Sequence, residues 1–242
     1  MADLSTLPDQ FCAIIIGASG GIGGALYAAL SRDPRCGTVI GLSRSPDDGH
    51  GYINLYDETS IADAVGNLMA EGPFHLIISA TGMLHDDQAG ISPEKTWRHL
   101  DPQTLAHVYA ANCIAPSMAA KHFLPLLAKK EKSVFAALSA RVGSIADNRV
   151  GGWHSYRAAK AALNMMIRNF SIEMKLKSPS AIVVGLHPGT VATGLSAPFR
   201  GNVAHDIFTP DQAATHLLEV VQMLTPDHSG NQYAWDGAAI PG

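Results

Sequence analysis

Short runs of apolar residues recur along the chain, and stretches with helical spacing separate them. A continuous apolar run of this kind is typical of a strand that is buried on both faces. The runs predict strands at residues 11–16, 38–42, 51–55, 74–78, 133–138, 181–186 and 233–235. The intervening spacing predicts helices at about residues 25–30, 57–70, 103–129, 153–177 and 210–224. Pro116 and Pro125 are expected to bend or interrupt the third helix.

Strands that alternate with helices predict a mostly parallel sheet with right-handed crossovers. The expected fold class is therefore α/β: a doubly wound, mostly parallel, Rossmann-type sheet. Residues 1–242 contain no Gly/Ser tract, Pro-rich run or charge block that would mark a linker, so we expect a single domain. Ligands of such sheets bind beyond the carboxyl ends of the strands, which brings distant residues to one edge.

Five glycines, at positions 17, 20, 21, 23 and 24, separate the first predicted strand from the first predicted helix. A chain that reverses from strand into helix needs backbone angles that glycine adopts at low cost. A pyrophosphate on such a turn needs uncovered backbone NH groups, and a helix N-terminus supplies them with a favourable dipole. The order strand, glycine loop, helix therefore predicts a dinucleotide site at the start of the chain.

The end of the second strand carries Ser43 and Arg44. In a dinucleotide fold this position faces the adenosine ribose, where an acidic residue binds the 2′-hydroxyl of NAD. An arginine can instead pair with a 2′-phosphate and stack on adenine, so Arg44 favours NADP over NAD. Asp47 and Asp48 come late for the ribose contact but remain an alternative to Arg44.

Composition and charge exclude several other classes of protein. Apolar residues make up 47% and charged residues 16% of the chain, which is usual for a globular domain with a large core. A net charge of −4 without a basic cluster argues against nucleic-acid binding. The three cysteines show no paired spacing, no leader or membrane span is visible, and the eleven histidines form no metal-ligand motif. We therefore expect a cytoplasmic protein without a metal site.

Tyr156 and Lys160 lie four residues apart, on one face of the helix predicted at 153–177. A phenol with a pKa of about 10 is a poor acid–base group at neutral pH. A neighbouring ammonium group favours the phenolate, so we expect Lys160 to lower the pKa of Tyr156. Asn112 falls in an apolar helical stripe with Leu105 and Val108, where an unpaired amide is costly. Either backbone groups across the sheet satisfy it, or it holds a water in a site.

Taken together, these motifs resemble the short-chain dehydrogenase/reductase family, of the small single-domain type. The resemblance covers essentially the whole chain and rests on Gly17-x-x-x-Gly21-x-Gly23, Asn112, Ser139, Tyr156-x-x-x-Lys160 and Pro188-Gly189-Thr190-Val191-x-Thr193. The segment 139–145 and the Gly-Gly-Trp that ends at Trp153 also resemble the branch of sniffer-type carbonyl reductases and C-factor-like proteins.

The resemblance implies one dinucleotide-binding oxidoreductase domain and a role for each motif residue. Four residues would be catalytic: Tyr156 as general acid–base, Lys160 as its modulator and ribose ligand, Asn112 as holder of a relay water, and Ser139 as partner of the substrate oxygen. The cofactor would contact the glycine loop, the ends of the first four strands and the segment after the sixth: Gly17, Ser19, Gly20, Gly21, Ile22, Gly23, Ser43, Arg44, Asn54, Leu55, Ala80, Thr81, Gly82, Tyr156, Lys160, Pro188, Gly189, Thr190, Val191 and Thr193.

Three positions depart from the family pattern. The usual Asn-Asn-Ala-Gly after the fourth strand is Ser79-Ala80-Thr81-Gly82, and Ile16 replaces a threonine that often precedes the loop. The family serine usually lies 13 residues before the tyrosine, where this chain has Gly143. Ser139, at the strand end, is the preferred substitute, and Ser144 is its rival; an ungapped alignment would place Ala140 there.

The resemblance further implies hydride transfer between NADP(H), or NAD(H), and a small carbonyl/alcohol substrate. That substrate is expected under residues 194–208, with apolar contacts from Leu195, Pro198, Phe199, Ile207 and Phe208 and with lid motion at Gly201. The family also implies a homo-oligomer, a dimer or a tetramer. A nucleotide-binding regulatory protein is the alternative function, although an intact acid–base set argues against it. An isomerase or epimerase of the same fold is a third hypothesis.

Overall fold

The computed structural model describes residues 2–45, 49–198 and 207–242. In these residues one sheet contains eight strands: β1 (Phe11–Ile16), β2 (Cys36–Ser43), β3 (Gly51–Tyr52), β4 (Leu76–Ser79), β5 (Ser133–Leu138), β6 (Ala181–His187), β9 (Gln232–Ala234) and β10 (Ala239–Ile240). Their order is β10-β9-β6-β5-β4-β1-β2-β3, and every neighbouring pair is parallel except β9 and β10. A separate parallel pair consists of β7 (Thr190–Val191) and β8 (Ile207–Phe208).

Helices cover both faces of this sheet: α1 (Gly21–Ser31), α2 (Glu58–Leu68), α3 (Pro102–Tyr109), α4 (Ala115–Phe123), α5 (His154–Lys177) and α6 (Pro210–Met223). Side chains alternate along each strand, so Ala13 and Ile15 of β1 join the apolar core with α1 and α6. Ile14 and Ile16 join the opposite core with α2, α4 and α5. The predicted doubly wound, mostly parallel fold is confirmed.

The topology places a ligand site at one edge. β1 pairs with β2 on one side and with β4 on the other, so the chain reverses its winding direction between β1 and β4. A crevice forms outside the carboxyl ends of the strands at such a switch point. The glycine loop follows β1 there, and the ends of β2, β4, β5 and β6 open on the same side.

The long helix predicted at 103–129 is interrupted. It consists of α3, a π-helical turn over Ala110–Ile114, α4 and a 3₁₀ turn over Leu124–Leu126. Pro116 lies in the first turn of α4, directly after the π-helical turn, and Pro125 lies in the 3₁₀ turn. The proline interruptions were therefore predicted, whereas the π-helical turn was not.

Several predicted boundaries also need correction. The third strand ends at Tyr52 rather than at residue 55, because the chain turns where Asn54 accepts a hydrogen bond from Tyr56 N. The fourth begins at Leu76, two residues later than predicted, and the last covers Gln232–Ala234. The two-residue strands β7, β8 and β10 were not predicted, since so short a segment carries no periodic signal.

In residues 2–45, 49–198 and 207–242, no helix is both long enough and apolar enough to cross a membrane.

Candidate active-site cleft

Two adjoining cavities lie at the carboxyl edge of the sheet, with volumes of about 510 and 610 Å³. They share Gly20 and the residues after β4, Ala80 to Gly82, in their linings. The larger cavity lies beside Ser43 and Arg44, and the smaller one contains Tyr156 and Lys160. The two therefore form one elongated cleft with the glycine loop along its middle.

The glycine loop is held tightly against the neighbouring segments. Gly17 has φ of +91°, and a Cβ atom there would lie 2.9 Å from the carbonyl oxygen of Ala80. A Cβ atom on Gly21 would lie 2.7 Å from Cγ2 of Thr193, and one on Gly23 would overlap the carbonyl of Gly17. Gly20 is the N-cap of α1 and no side chain caps this helix end. Its first NH groups are thus available to an anion in the cleft.

The end of β2 borders the larger cavity. The Ser43 hydroxyl is buried, donates to the carbonyl oxygen of Ser45 at 2.7 Å and so shapes the turn. Arg44 is exposed and lines the cavity together with Leu55. Asn54 is not among the described lining residues, because its amide oxygen closes the turn at Tyr56. The alternative acidic residues at 47 and 48 lie outside the described part of the chain.

The first turn of α5 positions Tyr156. Gly151, Gly152 and Trp153 all have positive φ, and for Trp153 the value of +48° is unusual because the residue is not glycine. The buried Glu94 anchors this segment: its carbonyl oxygen accepts from Trp153 N at 2.6 Å, and its carboxylate accepts from Ser155 N at 3.2 Å. The Trp153 ring then packs edge-on against the Tyr156 ring, with centroids 6.4 Å apart.

Lys160 lies one helical turn after Tyr156 and is buried. Its Nζ donates to the carbonyl oxygen of Leu138 at 2.8 Å and lies 5.7 Å from the centroid of the Tyr156 ring. Burial lowers the pKa of Lys160 to about 8 and raises the pKa of Tyr156 above its usual value. We expected Lys160 to lower the pKa of this phenol, but in the protein alone the loss of solvent dominates. The phenol is therefore protonated at neutral pH.

Asn112 lies in the π-helical turn and is fully buried. Its Nδ2 donates to the carbonyl oxygens of Met83 at 2.7 Å and Val108 at 3.0 Å, and its Oδ1 accepts from Met83 N at 3.0 Å. Of the two alternatives for this amide, backbone pairing is therefore observed. A Cβ atom on Gly82 would lie 3.1 Å from Asn112 Oδ1 and 3.3 Å from Lys160 Nζ, so this glycine lets both groups approach the end of β4.

The structure places the two candidate serines differently. Ser139 lines the cavity of Tyr156, and its hydroxyl donates to Oδ1 of Asn164 at 2.7 Å. The hydroxyl of Ser144 accepts from Asp147 N at 3.0 Å, and Ser144 is not among the described lining residues. A Cβ atom on Gly143 would lie 2.8 Å from Cβ of Lys160, so α5 packs directly on the position where the family serine was sought. Ser139 is thus the serine that reaches the cleft.

The segment after β6 closes the same cavity with Pro188, Gly189, Thr190, Val191, Thr193 and Leu195. Of the predicted substrate contacts, Pro198 is not among the described lining residues. Phe208 packs behind Gly189: a Cβ atom on Gly189 would lie 2.8 Å from the Phe208 ring. Ile207 is absent from the described lining as well. Phe199 and the lid glycine at 201 lie outside the described residues.

Sequence reasoning missed several residues of the cavity wall around Tyr156, among them Leu84, Leu138, Val142 and Trp153. The glycine pair before Trp153 was a usable signal, because two glycines before a helix often mark left-handed backbone. Leu84 and Val142 lie in loops without periodicity, so their sequence context carried no signal. Among residues 2–45, 49–198 and 207–242, no group of three His, Cys, Asp or Glu side chains is placed to bind a metal ion.

Comparison with known proteins agrees with this architecture. Residues 12–203 match the model of the short chain dehydrogenase family, and the chain belongs to this family of NAD(P)-dependent oxidoreductases. A similar protein is 1-hydroxy-2-glutathionyl-2-methyl-3-butene dehydrogenase of Rhodococcus sp. (strain AD45), 37% identical over 189 residues that cover 78% of this chain and 77% of that protein. C-signal of Myxococcus xanthus is 32% identical over 142 residues, which cover 59% and 81% of the two chains.

Solved structures share the fold over nearly the whole chain. Carbonyl reductase Sniffer of D. melanogaster superimposes with a TM-score of 0.81 at 19% identity, covering 97% of this chain and 100% of that one. An NADPH-bound carbonyl reductase from chicken fatty liver gives a TM-score of 0.80 at 24% identity, covering 98% and 95%. The resemblance of the motifs to the short-chain dehydrogenase/reductase family is confirmed.

Proposed function

We propose that the protein transfers hydride between NADP(H) and a carbonyl/alcohol substrate, with Tyr156 as the general acid–base. One observation carries the proposal: a single cleft has the uncapped N-terminus of α1 along its middle, Arg44 at one end, and Tyr156 with Lys160 at the other. A dinucleotide needs an anion site between its two halves, and a carbonyl reduction needs a proton donor at the nicotinamide half.

The residues fit such a cofactor. The NH groups of Gly21 and Ile22 at the uncapped start of α1 would hold the pyrophosphate, and the exposed Arg44 would pair with a 2′-phosphate at the adenosine end. The NADPH bound by the chicken enzyme supports the same choice. The nicotinamide would supply the hydride, whereas the protein supplies orientation and the proton. NAD(H) stays the alternative cofactor.

The proton step follows from the state of Tyr156. A phenol whose pKa lies at or above its usual value of about 10 holds its proton at neutral pH and can donate it to an oxygen that gains negative charge. Lys160, with a pKa of about 8, is mostly charged at neutral pH and can stabilise the phenolate that remains. The contact of Lys160 with ribose and the relay water of Asn112 are proposals that rest on the family resemblance.

The wall of the cavity indicates the class of substrate. Leu84, Leu138, Val142, Trp153 and Leu195 surround the space beside Tyr156. The ionisable side chains among the described lining residues are Tyr156, Lys160 and His187. A charged substrate would lose its hydration without a dedicated partner, so we propose an uncharged, largely apolar carbonyl compound.

A fluorescence titration of the purified protein with NADPH and NADH tests the cofactor. Tighter binding of NADPH, lost in Arg44→Ala but kept in the exposed control Arg32→Ala, supports the proposal. NADPH-linked reduction of benzil, an uncharged aromatic diketone, tests the reaction. No binding of either nucleotide would reject the enzyme function, and normal turnover by Tyr156→Phe would reject the role of the phenol.

A regulatory function with incidental turnover is the second candidate, because the chain is similar to C-signal of Myxococcus xanthus. Deletion of the gene followed by complementation separates the two candidates. If the Tyr156→Phe gene restores the wild-type phenotype, the regulatory function is favoured. If the wild-type gene restores it and the Tyr156→Phe gene does not, catalysis is favoured.

The homo-oligomer implied by the family is likewise a proposal. Met165, Ile172 and Leu176 of α5 are large apolar residues with exposed fractions of 61%, 54% and 85%. Such a row fits the surface of a helix that packs against a second copy. Sedimentation velocity of the wild type and of Leu176→Asp measures the oligomeric state. The wild type should be an oligomer that Leu176→Asp weakens, and a monomeric wild type would contradict the proposal.

A further inference from the structure

Helix α5 has no capping side chain of its own at its N-terminus. By contrast, α2, α3 and α6 are each capped by the side chain of their own N-cap residue, which is Asp57, Asp101 and Thr209 respectively. The N-cap residue of α5 is Trp153, which has left-handed backbone and makes no side-chain capping bond. The NH groups of the first turn therefore need partners from another part of the chain.

Glu94 supplies these partners from the segment between β4 and α3. Its carbonyl oxygen accepts from Trp153 N at 2.6 Å, and its carboxylate accepts from Ser155 N at 3.2 Å and from the Ser155 hydroxyl. Glu94 and Ser155 are both buried, with exposed fractions of 5% and 1%. One residue thus caps the helix from a position 61 residues earlier in the chain.

The buried carboxylate of Glu94 is costly unless its charge is compensated. No Lys, Arg or His in residues 2–45, 49–198 and 207–242 forms an ion pair with it. Its partners are instead the positive end of helix α5 and the two hydrogen-bond donors of Ser155. An apolar side chain would fill the same space without this desolvation, so the carboxylate indicates that the geometry of the first turn matters.

The capped turn holds Tyr156 between two bound neighbours. Ser155 is bound to Glu94, and Arg157 Nε donates to two carbonyl oxygens of the loop before the helix at 3.0 and 3.1 Å. Tyr156 also packs against a small apolar cluster that contains Ile91, three residues before Glu94. The backbone of Tyr156 is therefore fixed on both sides.

The segment that carries Glu94 is itself held in place. Asp86 and Ile91 exchange backbone hydrogen bonds at 2.9 and 2.8 Å, which closes a turn between them. The Asp86 carboxylate also lies 3.3 Å from Nε2 of His107 in α3. Glu94 thus acts on α5 from an anchored segment.

We propose that Glu94 is a positioning residue for the proton donor: its carboxylate fixes the first turn of α5 and thereby the place of the Tyr156 hydroxyl. This inference rests on the proposed function, in which Tyr156 donates the proton. Proton transfer requires the donor within hydrogen-bond reach of the substrate oxygen. A displaced first turn should therefore slow turnover, while the cofactor site at Arg44 and the glycine loop stays intact.

Substitution of Glu94 tests the proposal in the NADPH-linked reduction of benzil. Glu94→Leu removes both carboxylate oxygens, so kcat should fall by about 10- to 100-fold, the cost of a misplaced catalytic group. The Kd for NADPH should stay within about twofold, because the charge and the backbone donors that bind it are unchanged. Glu94→Gln keeps one acceptor oxygen and should have an intermediate kcat; it serves alone if Glu94→Leu does not fold. Glu219→Leu, at an exposed position of α6, is the matched control.

Two further variants separate positioning from a loss of stability. Leu68→Ala removes buried apolar contacts of α2 and should lower the free energy of unfolding without lowering kcat. Ser155→Ala removes the hydroxyl that binds Glu94, so kcat should fall by about three- to tenfold. In the Glu94→Leu or Glu94→Gln background this fall should be smaller, because the partner of the hydroxyl is lost or weakened.

Three results would overturn the proposal. The first is an unchanged kcat in the folded Glu94 variants. The second is a rise in the Kd for NADPH that matches the fall in kcat, since this would indicate a general disruption of the cleft. The third is a full loss from Ser155→Ala that persists when Glu94 is replaced.

Failure of the proposed function has a different signature. If the wild type binds no nicotinamide cofactor or reduces no benzil, the proposed function is rejected, and amide hydrogen exchange then decides whether Glu94 holds the first turn. Exchange in residues 155–158 should be faster in Glu94→Leu, or in Glu94→Gln, than in the wild type, and unchanged in Glu219→Leu. Equal exchange in the Glu94 variant and the wild type would overturn the role of Glu94 in either case.

Discussion

The two ends of the cleft are constructed in opposite ways. At the end that contains Tyr156, buried side chains are held by Glu94, by the carbonyl of Leu138 and by the backbone of Met83. At the other end, the exposed Arg44 follows a turn whose buried hydroxyl, that of Ser43, is engaged locally. Chemistry requires fixed geometry, whereas selection between two similar cofactors requires only one accessible charge. Substitutions at the two ends should therefore differ in kind.

The largest expected effect is that of Tyr156→Phe at the buried end. Loss of the proton donor should lower kcat for benzil reduction by about 10²–10⁴-fold. The Kd for NADPH, measured by fluorescence, should stay within about twofold because Arg44 and the glycine loop are untouched. A variant that lost cofactor binding and turnover together would indicate that the two ends are not independent.

The second effect concerns Gly143, which supports Lys160. Gly143→Ala places a methyl group 2.8 Å from Lys160 Cβ and 2.9 Å from its carbonyl carbon. We expect a loss of about 1–3 kcal/mol in the free energy of unfolding, together with lower kcat.

Gly66→Ala is the matched control for this substitution. Gly66 lies inside α2, and nothing lies within 4 Å of the added methyl group. This change should raise the free energy of unfolding by about 0.5–1 kcal/mol and leave kcat unchanged. Equal losses in the two variants, measured by urea denaturation, would contradict the close packing of Gly143 on α5.

A smaller effect is expected at the exposed end. Arg44→Ala should weaken NADPH binding by about tenfold, because one charge-assisted contact to the 2′-phosphate is lost. NADH has no such phosphate, so its Kd should not change. The difference should shrink at high salt, since exposed charges are screened. A preference for NADPH that survives in Arg44→Ala would assign the phosphate to other residues.

The last effect is a pH dependence of stability that reports the burial of Lys160. Lys160 has a folded-state pKa of about 8, below the unfolded value of about 10.4, so the unfolded chain binds the additional proton between these values. The free energy of unfolding contributed by this group should therefore rise as pH increases from about 8 to about 10. Urea denaturation at several pH values should show a weaker rise for Lys160→Met, and an identical slope would contradict the buried ammonium.

The sequence predicted the frame of the molecule well. The apolar runs marked β1 and β5 at their observed bounds, because both strands are buried on both faces and contain no polar interruption. α5 was predicted to within one residue for a related reason: its apolar stripe keeps the helical period. The glycine loop could be identified because a reversal from strand into helix favours glycine. The pair Tyr156 and Lys160 could be identified because a four-residue spacing places both on one helix face and the motifs around them resemble those of the family.

Other features depend on contacts between distant segments. The amide of Asn112 in the π-helical turn pairs with Met83 in the loop after β4, and no local pattern indicates that pairing. The left-handed backbone of Trp153 depends on its bond to Glu94. The choice of Ser139 over Ser144 depends on the packing of α5 against Gly143.

The sequence by itself determined the order of strands and helices, the glycine loop after β1 and the placement of Tyr156 and Lys160 on one helix face, since these follow from local periodicity and backbone preference. Only the tertiary structure decided that burial raises the pKa of Tyr156 and that the Ser139 hydroxyl pairs with Asn164. Desolvation causes the first, and the packing of α5 beside the end of β5 causes the second. Both depend on groups far apart in the chain, because desolvation and hydrogen-bond polarity arise only once those segments are packed together.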